Sequence, residues 1–276
     1  MNNFIKRTLS GVVFLGIMLG GLLWSPIPYC VVFSFIILVM MKEYLDITLG
    51  NTHKIGKYFA LATGFLLFLF SFASVGYGLP YNYFLILVLP VMLILISLLY
   101  SKDKESYKTY PYLFTSVLYI ALPFSLCNLI AFDATGAFNG YLILALMIIL
   151  WCSDVGAYLF GMTLGQKNGH KLFPSISPKK SWEGYIGSVF TSILAGFLLN
   201  RIGWFPFSII HSVIISVLIN IFATFGDLIE SQLKRQYGVK DSGNIMPGHG
   251  GLLDRFDGAI VAFPIAIAYI YIFGLI

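Results

Sequence analysis

Apolar residues run in long blocks along this chain, and short polar segments separate one block from the next. A helix that crosses the hydrocarbon core of a bilayer needs roughly 17–25 consecutive, mostly apolar residues. We therefore predict an all-α fold, a polytopic integral membrane bundle of about nine transmembrane helices. The second of them is short, which also fits a re-entrant or tilted segment. The nine lie near residues 8–25, 27–41, 58–76, 81–100, 111–131, 138–163, 183–200, 205–229 and 256–276.

The basic residues indicate how this bundle is oriented. Cytoplasmic loops of membrane proteins carry an excess of Lys and Arg. With the N-terminus inside, only Arg201 of the seventeen basic residues falls on the external side. We therefore predict a cytoplasmic N-terminus and an external C-terminus. The cytoplasmic bases are Lys6, Arg7, Lys42, Lys54, Lys57, Lys102, Lys104, Lys108, Lys167, Lys171, Lys179, Lys180, Lys234, Arg235, Lys240 and Arg255.

Charged residues make up only 11% of the chain and are unevenly distributed. In lipid each charge is costly, so charges kept within spans are usually functional. Residues 1–110 show four spans and no buried charge, which predicts a transmembrane scaffold. Residues 111–276 form the predicted catalytic region, because acids lie within or at the edges of their spans. These acids are Asp154, Glu183, Asp227 and Glu230.

The end of the eighth span places four polar side chains on one helical face. Asp227, Glu230, Ser231 and Lys234 follow one another at i, i+3, i+4 and i+7, a spacing that aligns them along a helix. A simple ion pair from Glu230 to Lys234 would explain those two residues. It would not explain Asp227, which follows about twenty mostly apolar residues. We therefore predict a functional role for Asp227.

A glycine-rich loop, residues 247–258, leads into the last span. Its backbone can approach an anion closely and donate N–H groups to it. Asp254 and Asp257 follow one turn apart, and helix capping would account for only one of them. Carboxylates from different helices are typical Mg²⁺ ligands. His249 is either a hydrogen-bond donor of the loop or a phosphate contact, and zinc is not expected because no second His or Cys has ligand spacing.

Residues 175–184 form a third polar element, SISPKKSWEG. Ser181 is predicted to cap the helix that follows, and the pair Lys179 and Lys180 suits a phosphate-rich ligand. Asp154 lies deep in the sixth span and is expected to face the bundle interior. Carboxylates, bases and a glycine-rich loop therefore converge at the cytoplasmic boundary, which favours metal-assisted phosphate chemistry on a substrate reached from both lipid and cytosol.

These motifs resemble a known family. Ser231-x-x-Lys234-Arg235, Lys240-Asp241 and Pro247-Gly-His-Gly-Gly-x-x-Asp254-Arg255-x-Asp257 are similar to the signature of the phosphatidate cytidylyltransferases, or CDP-diacylglycerol synthases. The segment Asp154-x-Gly-Ala-Tyr and residues 177–184 resemble the upstream motifs of that family, with Ser181 where Thr is common. The resemblance covers the whole chain and is strongest over residues 150–258.

The resemblance implies a reaction, its cofactors and its setting. CTP and phosphatidate would react to give CDP-diacylglycerol and pyrophosphate, with Mg²⁺ and with K⁺ as a candidate second cation. The protein would be a homodimer in the bacterial inner membrane, with its active site on the cytoplasmic side and no nucleic-acid partner. These are expectations from the family.

The resemblance also assigns roles to residues of the signature, 231–257, and to residues before it. Asp227 and Asp254 would bind the metal, with Asp257 and Ser231 close by. Lys179 and Lys180 would hold either the triphosphate or the lipid phosphate. The other catalytic or phosphate-holding candidates are Lys234, Arg235 and Arg255, and the remaining substrate-binding candidates are Lys240, His249, Gly250, Gly251, Asp154 and Glu183.

Other classes of protein fit parts of the pattern. A cation-coupled transporter also uses intramembrane acids, but here the polar residues gather at one face instead of lining a path across. A CTP-dependent lipid kinase would differ in releasing CDP. A CDP-alcohol phosphotransferase is rejected, because the motif that begins at Asp254 has no acid after Asp257.

Overall fold

A computed structural model describes residues 3–101, 106–133, 135–165 and 169–276. The basic residues Lys102, Lys104 and Lys167 of the predicted cytoplasmic segments lie outside these ranges. Eight helical segments of the described chain are long and apolar enough to cross a membrane. The predicted class, a polytopic helical membrane protein, is therefore confirmed. The orientation of the termini stays a prediction.

The first half of the chain forms three long helices and a series of short ones. The long helices are α1 (Asn3–Leu23), α2 (Pro26–Leu49) and α3 (Lys54–Tyr77). Two 3₁₀ segments, Tyr81–Leu87 and Leu98–Tyr100, flank α4 (Val88–Ser97). The short helices are α5 (Ser106–Thr109), α6 (Pro111–Ser116), α7 (Leu122–Leu126) and α8 (Asn128–Ala131), with a π-helical turn, Val117–Ala121, between α6 and α7.

The second half contains four long helices and one hairpin. The helices are α9 (Tyr141–Thr163), α10 (Trp182–Arg201), α11 (Ile209–Gln236) and α12 (Leu253–Ile272). Between α9 and α10, the strands β1 (Lys171–Phe173) and β2 (Ser177–Ser181) pair in antiparallel register. The pattern of apolar and polar residues did not predict this hairpin.

The second predicted span, 27–41, belongs to a longer helix than expected. Helix α2 continues to Leu49 without a break, and half of its 24 residues are buried. It is not among the eight helices that meet the length and composition criteria for a span. The described chain therefore supports eight candidate spans, whereas the sequence predicted nine. Because α2 extends past residue 41, it carries Glu43 into the protein interior.

The helices form two compact units. The first unit comprises the chain up to Asn139 together with Tyr237–Phe256. Its core is a cluster of fully buried aromatic side chains in which Tyr29 donates a hydrogen bond of 3.0 Å to Asn128 Oδ1. This bond satisfies two polar groups that would otherwise be costly to bury. The other large aromatics of this core are Phe33, Phe68, Phe124 and Phe256.

The second unit comprises Gly140–Gln236 and Asp257–Ile276. Here α9 and α10 approach closely, because glycines leave room for the facing helix. A β-carbon at Gly156 would overlap the side chain of Thr191, and one at Gly187 would overlap Phe160. Small residues allow such close approach in membrane helices. The tight packing of one face of α9 decides which of its residues remain exposed on the other.

Candidate functional site

In the first unit, the glycine-rich loop is anchored by Glu43 of α2. The first turn of α12 leaves backbone N–H groups without helical partners. Glu43 Oε1 accepts from the N–H of Leu252 at 3.1 Å, and Oε2 accepts from the N–H of Leu253 at 2.8 Å. The Ser242 hydroxyl oxygen lies 3.2 Å from Oε2. Glu43 of α2 therefore caps α12, the helix that follows the glycine-rich loop.

Glu43 corrects one prediction from the sequence. Residues 1–110 were expected to hold no buried charge, but Glu43 is only 8% exposed. The expectation was wrong because the partners of Glu43 lie about 200 positions away, and a local pattern cannot show them. Glycines make the contact possible, since a β-carbon at Gly243 or Gly251 would overlap the carboxylate.

Asp254 organises the same loop. Its Oδ2 accepts hydrogen bonds from the Ser242 N–H at 2.9 Å, the Ser242 hydroxyl at 3.0 Å and the Gly251 N–H at 2.8 Å. A carboxylate oxygen with three donors is strongly held in place. This oxygen therefore stabilises the conformation of the loop. Gly250 permits the turn, because its φ of +87° lies in the left-handed region that favours glycine.

His249 and Arg255 make two further hydrogen bonds of the loop. His249 Nδ1 shares a 2.7 Å hydrogen bond with the hydroxyl of Ser10 in α1. Arg255 Nη2 donates to the carbonyl oxygen of His249 at 2.7 Å. Burial lowers the pKa of His249, and the positive charges of Arg255 and Arg7 lower it further. The imidazole is therefore neutral near pH 7 and acts through hydrogen bonds.

In the second unit, Asp227 of α11 binds Lys180 of β2. The two side chains form an ion pair through Asp227 Oδ2. On the same helical face, the Ser231 hydroxyl donates to Asp227 Oδ1 at 3.1 Å, as the i, i+4 spacing predicted. Asp227 is 42% exposed and Lys180 26% exposed, so a ligand can reach both groups. Of the predicted lysine pair, Lys180 takes part in this contact and Lys179 is exposed.

Asp257 joins this group from α12. Helix α11 packs directly on α12 at Asp257, because a β-carbon at Gly226 of α11 would overlap the carbonyl oxygen of Asp257. Asp257 is half-buried and lies within electrostatic range of Asp227, Asp154 and Lys180. We call these four residues the acidic cluster. It combines three carboxylates with one ammonium group, all from the second unit.

Asp154 occupies a different position from the one expected. It was predicted to face the bundle interior, but its side chain is exposed on α9. The prediction was wrong because α10 packs against the opposite face of α9 at Gly156, where a β-carbon would overlap the side chain of Thr191. Asp154 nevertheless contributes its charge to the acidic cluster.

Two local predictions are confirmed. Glu230 and Lys234 form an ion pair of 2.5 Å, with Glu230 only 1% exposed. The charge of Lys234 is therefore offset inside the protein. Ser181 caps α10 by accepting a hydrogen bond of 3.2 Å from the Gly184 N–H.

The remaining predicted site residues lie around these groups. Glu183 Oε1 accepts from the backbone N–H of His170 at 3.0 Å and so ties the hairpin to the first turn of α10. Arg235 and Lys240 are exposed, and neither forms an ion pair with an acid in the described ranges. Within those same ranges, no group of three or more His, Cys, Asp or Glu side chains is arranged to hold a metal ion. The roles assigned from the signature stay predictions.

The fold and the acidic cluster define a multi-pass helical membrane protein with reachable charged groups in its second unit. Residues 5–273 match the sequence profile of the cytidylyltransferase family. The chain belongs to this family.

Several curated proteins are similar to the chain. The phosphatidate cytidylyltransferase of Staphylococcus haemolyticus is 33% identical over 261 residues, which cover 94% of this chain and 96% of the relative. The proteins of the same name from Staphylococcus aureus and Staphylococcus epidermidis are 38% and 37% identical over 165 residues, 60% of each chain. The family resemblance seen in the signature is thereby confirmed over nearly the whole sequence.

Proposed function

We propose that this protein transfers the cytidylyl group of CTP to phosphatidate, giving CDP-diacylglycerol and pyrophosphate. The observation that carries the proposal is the acidic cluster, in which the reachable pair Asp227 and Lys180 lies within electrostatic range of Asp257, on which Asp154 also acts. Its membership of the family and the names of its relatives support the same reaction. The transporter and lipid-kinase alternatives gain no support from these comparisons.

The reaction needs electrostatic stabilisation more than covalent chemistry. An oxygen of the phosphatidate phosphate attacks the α-phosphorus of CTP, and the bond from that phosphorus to the β-phosphate oxygen breaks. Pyrophosphate leaves with the electron pair of that bond. Both reactants are polyanions, so positive charges placed near the transferring phosphorus lower the barrier. Lys180 is the basic side chain within the acidic cluster that supplies such a charge.

Mg²⁺ is part of this proposal, and Asp227 and Asp257 are the residues that would hold it. Their carboxylates are the hard oxygen donors that Mg²⁺ prefers, and Mg²⁺ commonly uses one or two of them together with phosphate oxygens. The ammonium of Lys180 pairs with Asp227, so a positive charge is stabilised beside this carboxylate. Of the two predicted metal ligands, Asp227 fits better, because Asp254 Oδ2 is held by three donors of the loop. When bound, Mg²⁺ would neutralise phosphate charge. K⁺ stays a prediction.

The membrane in which the protein lies, and its orientation there, are inferred from the distribution of basic residues and from the relatives. The matched relatives are bacterial, and sixteen of the seventeen bases fall in segments predicted to be cytoplasmic. We place the protein in a bacterial inner membrane with the acidic cluster on the cytoplasmic side, where CTP is available. The homodimer remains an expectation from the family.

The test is pyrophosphate release by the purified protein in mixed micelles, with CTP, phosphatidate and Mg²⁺ each omitted in turn. We expect release to require all three. Asp227→Asn should abolish it while leaving the fold intact, whereas the control Asp46→Asn should keep most of it, because Asp46 pairs with Lys42 and Lys57 and is not among the charges that act on Asp257. Release without phosphatidate, release of CDP, or near-normal turnover by Asp227→Asn would contradict the proposal.

A further inference from the structure

A groove runs along α1 in the first unit. It has a volume of about 460 Å³ and is open to the surface. The loop contributes one wall to it through His249, whose ring is oriented by the 2.7 Å hydrogen bond to Ser10. The other lining residues are Arg7, Thr8, Gly11, Val12 and Leu15. We call this the α1 groove.

One end of the α1 groove is cationic. The Arg7 side chain is exposed there and lies against Gly248 of the loop. Arg255 does not line the groove itself, but it donates a hydrogen bond to the carbonyl oxygen of His249, and the charges of Arg7 and Arg255 both act on the His249 ring. Within the described residues, neither guanidinium forms an ion pair with an acidic side chain. Two guanidinium groups therefore lie close to His249, and no acidic side chain of the described residues forms an ion pair with either of them.

The rest of the α1 groove is apolar. Val12 is 62% exposed and Leu15 is 43% exposed, one and two turns further along α1 from Arg7. Helix α1 is one of the eight candidate membrane spans, and exposed apolar side chains on such a helix suit contact with the acyl chains of lipids. A cationic end at the start of a span followed by an apolar wall matches the two parts of an anionic lipid.

We infer that the α1 groove binds the phosphatidate substrate, with its phosphate at Arg7 and Arg255 and an acyl chain along Val12 and Leu15. The phosphate of phosphatidate is a monoester that can carry two negative charges, and guanidinium groups bind phosphate oxygens in a paired geometry. Phosphatidylglycerol and most other membrane phospholipids are diesters with one charge per phosphate, so two cations near His249 favour phosphatidate over them. The identity of this lipid rests on the proposed function.

Bases at the start of a span also act through membrane topology and attraction to anionic lipid. Lys6 provides the control for this general effect. It is exposed and adjacent to Arg7 on α1, carries the same charge and does not line the groove. If the groove is a specific lipid site, substitution of Arg7 should weaken phosphatidate binding, and substitution of Lys6 should not.

The kinetic test compares Arg7→Gln, Lys6→Gln and the unaltered protein in mixed micelles. We expect Arg7→Gln to raise the KM for phosphatidate, measured as its mole fraction in the micelle, by about tenfold. The KM for CTP should not change. Lys6→Gln should leave both values within about twofold. Equal effects of the two variants on phosphatidate, or a rise in the KM for CTP alone, would overturn the inference.

A binding test separates this inference from the proposed function, because it needs no turnover. Native mass spectrometry of the detergent-purified protein counts the phosphatidate molecules retained, with phosphatidylglycerol as the comparison lipid. The unaltered protein and Lys6→Gln should retain phosphatidate in preference to phosphatidylglycerol, and Arg7→Gln should lose this preference. If the protein retained both lipids equally, the groove would not be a phosphatidate site, even if cytidylyl transfer were observed. If phosphatidate were preferred but no pyrophosphate formed, the site would stand and the proposed reaction would fail.

Discussion

The carboxylate of Glu43 holds the backbone N–H of Leu253 at 2.8 Å, although 210 positions separate the two residues in sequence. This bond joins α2 to the first turn of α12 within the first unit. It fixes the end of the glycine-rich loop, and Asp257 follows one helical turn later on the same helix. Helix α2, which lies in the region that the sequence predicted to be scaffold, therefore helps to determine where α12 begins.

The first prediction concerns this contact. Glu43→Gln should destabilise the loop, because Gln has only one acceptor oxygen for the N–H groups of Leu252 and Leu253. Its N–H₂ group would then face the other of these two donors. Loss of a buried, charge-assisted hydrogen bond costs about 1–3 kcal/mol. Hydrogen exchange of residues 242–253 in detergent micelles should be faster in this variant, and cytidylyl transfer should fall with it.

Lys42→Gln is the matched control for Glu43→Gln. Lys42 is the preceding residue of α2, its side chain is 69% exposed, and its partner is Asp46 on the helix surface. Exchange of residues 242–253 should remain as in the unaltered protein. If Glu43→Gln left their exchange equally slow, the carboxylate would not be what holds the loop.

The second prediction distinguishes the two lysines of β2. Lys180 is paired with Asp227, whereas Lys179 is exposed. Lys180→Gln should lower kcat/KM by about 100-fold, because it removes a positive charge from the acidic cluster and leaves Asp227 uncompensated. Lys179→Gln should change it by less than about threefold, as expected for an exposed charge. Steady-state pyrophosphate release measures both, and equal losses would show that the ion pair does not identify the functional lysine.

The third prediction is a pH dependence at His249. Its pKa is lowered by burial and by the charges of Arg255 and Arg7, so the folded protein resists protonation of this ring. As pH falls below the unfolded-state value of about 6.5, the unfolded chain binds the proton more readily, and this site then destabilises the fold. Above that pH both states are neutral here and the site contributes nothing.

Histidine-selective NMR in micelles measures this directly, with His249→Gln used to assign the resonance. We expect His249 to titrate below about 6.5 and its pKa to rise in Arg7→Gln, since a positive charge near the ring is removed. Lys6→Gln should leave it unchanged, because Lys6 is not among the groups that act on His249. Titration above the ordinary value in the unaltered protein would refute the assignment.

Local spacing predicted the local parts of the site. The i, i+4 contacts of Ser231 with Asp227 and of Lys234 with Glu230, and the capping by Ser181, follow from helical geometry alone. Glu43 could not be found in this way, because its partners come from a segment about 200 residues later. The sequence shows only a polar residue at the end of an apolar block, which is also what a helix leaving the membrane would show.

The orientation of Asp154 also lay beyond the sequence. Nearly every residue of α9 is apolar or small, so hydrophobic periodicity does not mark an inner face. What selects the face is close packing on α10 through glycines such as Gly156. The pairing of Lys180 rather than Lys179 with Asp227 depends likewise on the β hairpin, whose short strands carry Pro178 and give a weak strand signal.

The last prediction tests the close approach of α11 and α12. Gly226 precedes Asp227, and a β-carbon there would overlap the carbonyl oxygen of Asp257. Gly226→Ala should therefore push the two helices apart, cost about 1–3 kcal/mol of stability through overpacking, and separate Asp227 from Asp257. Thermal unfolding in detergent and pyrophosphate release should both decline. Gly16→Ala in α1 is the same chemical change where a β-carbon meets no atom within 4 Å, and it should be neutral in both measurements. If Gly226→Ala were equally neutral, the juxtaposition of Asp227 and Asp257 would not depend on this contact, and the proposed role of the acidic cluster would lose its structural basis.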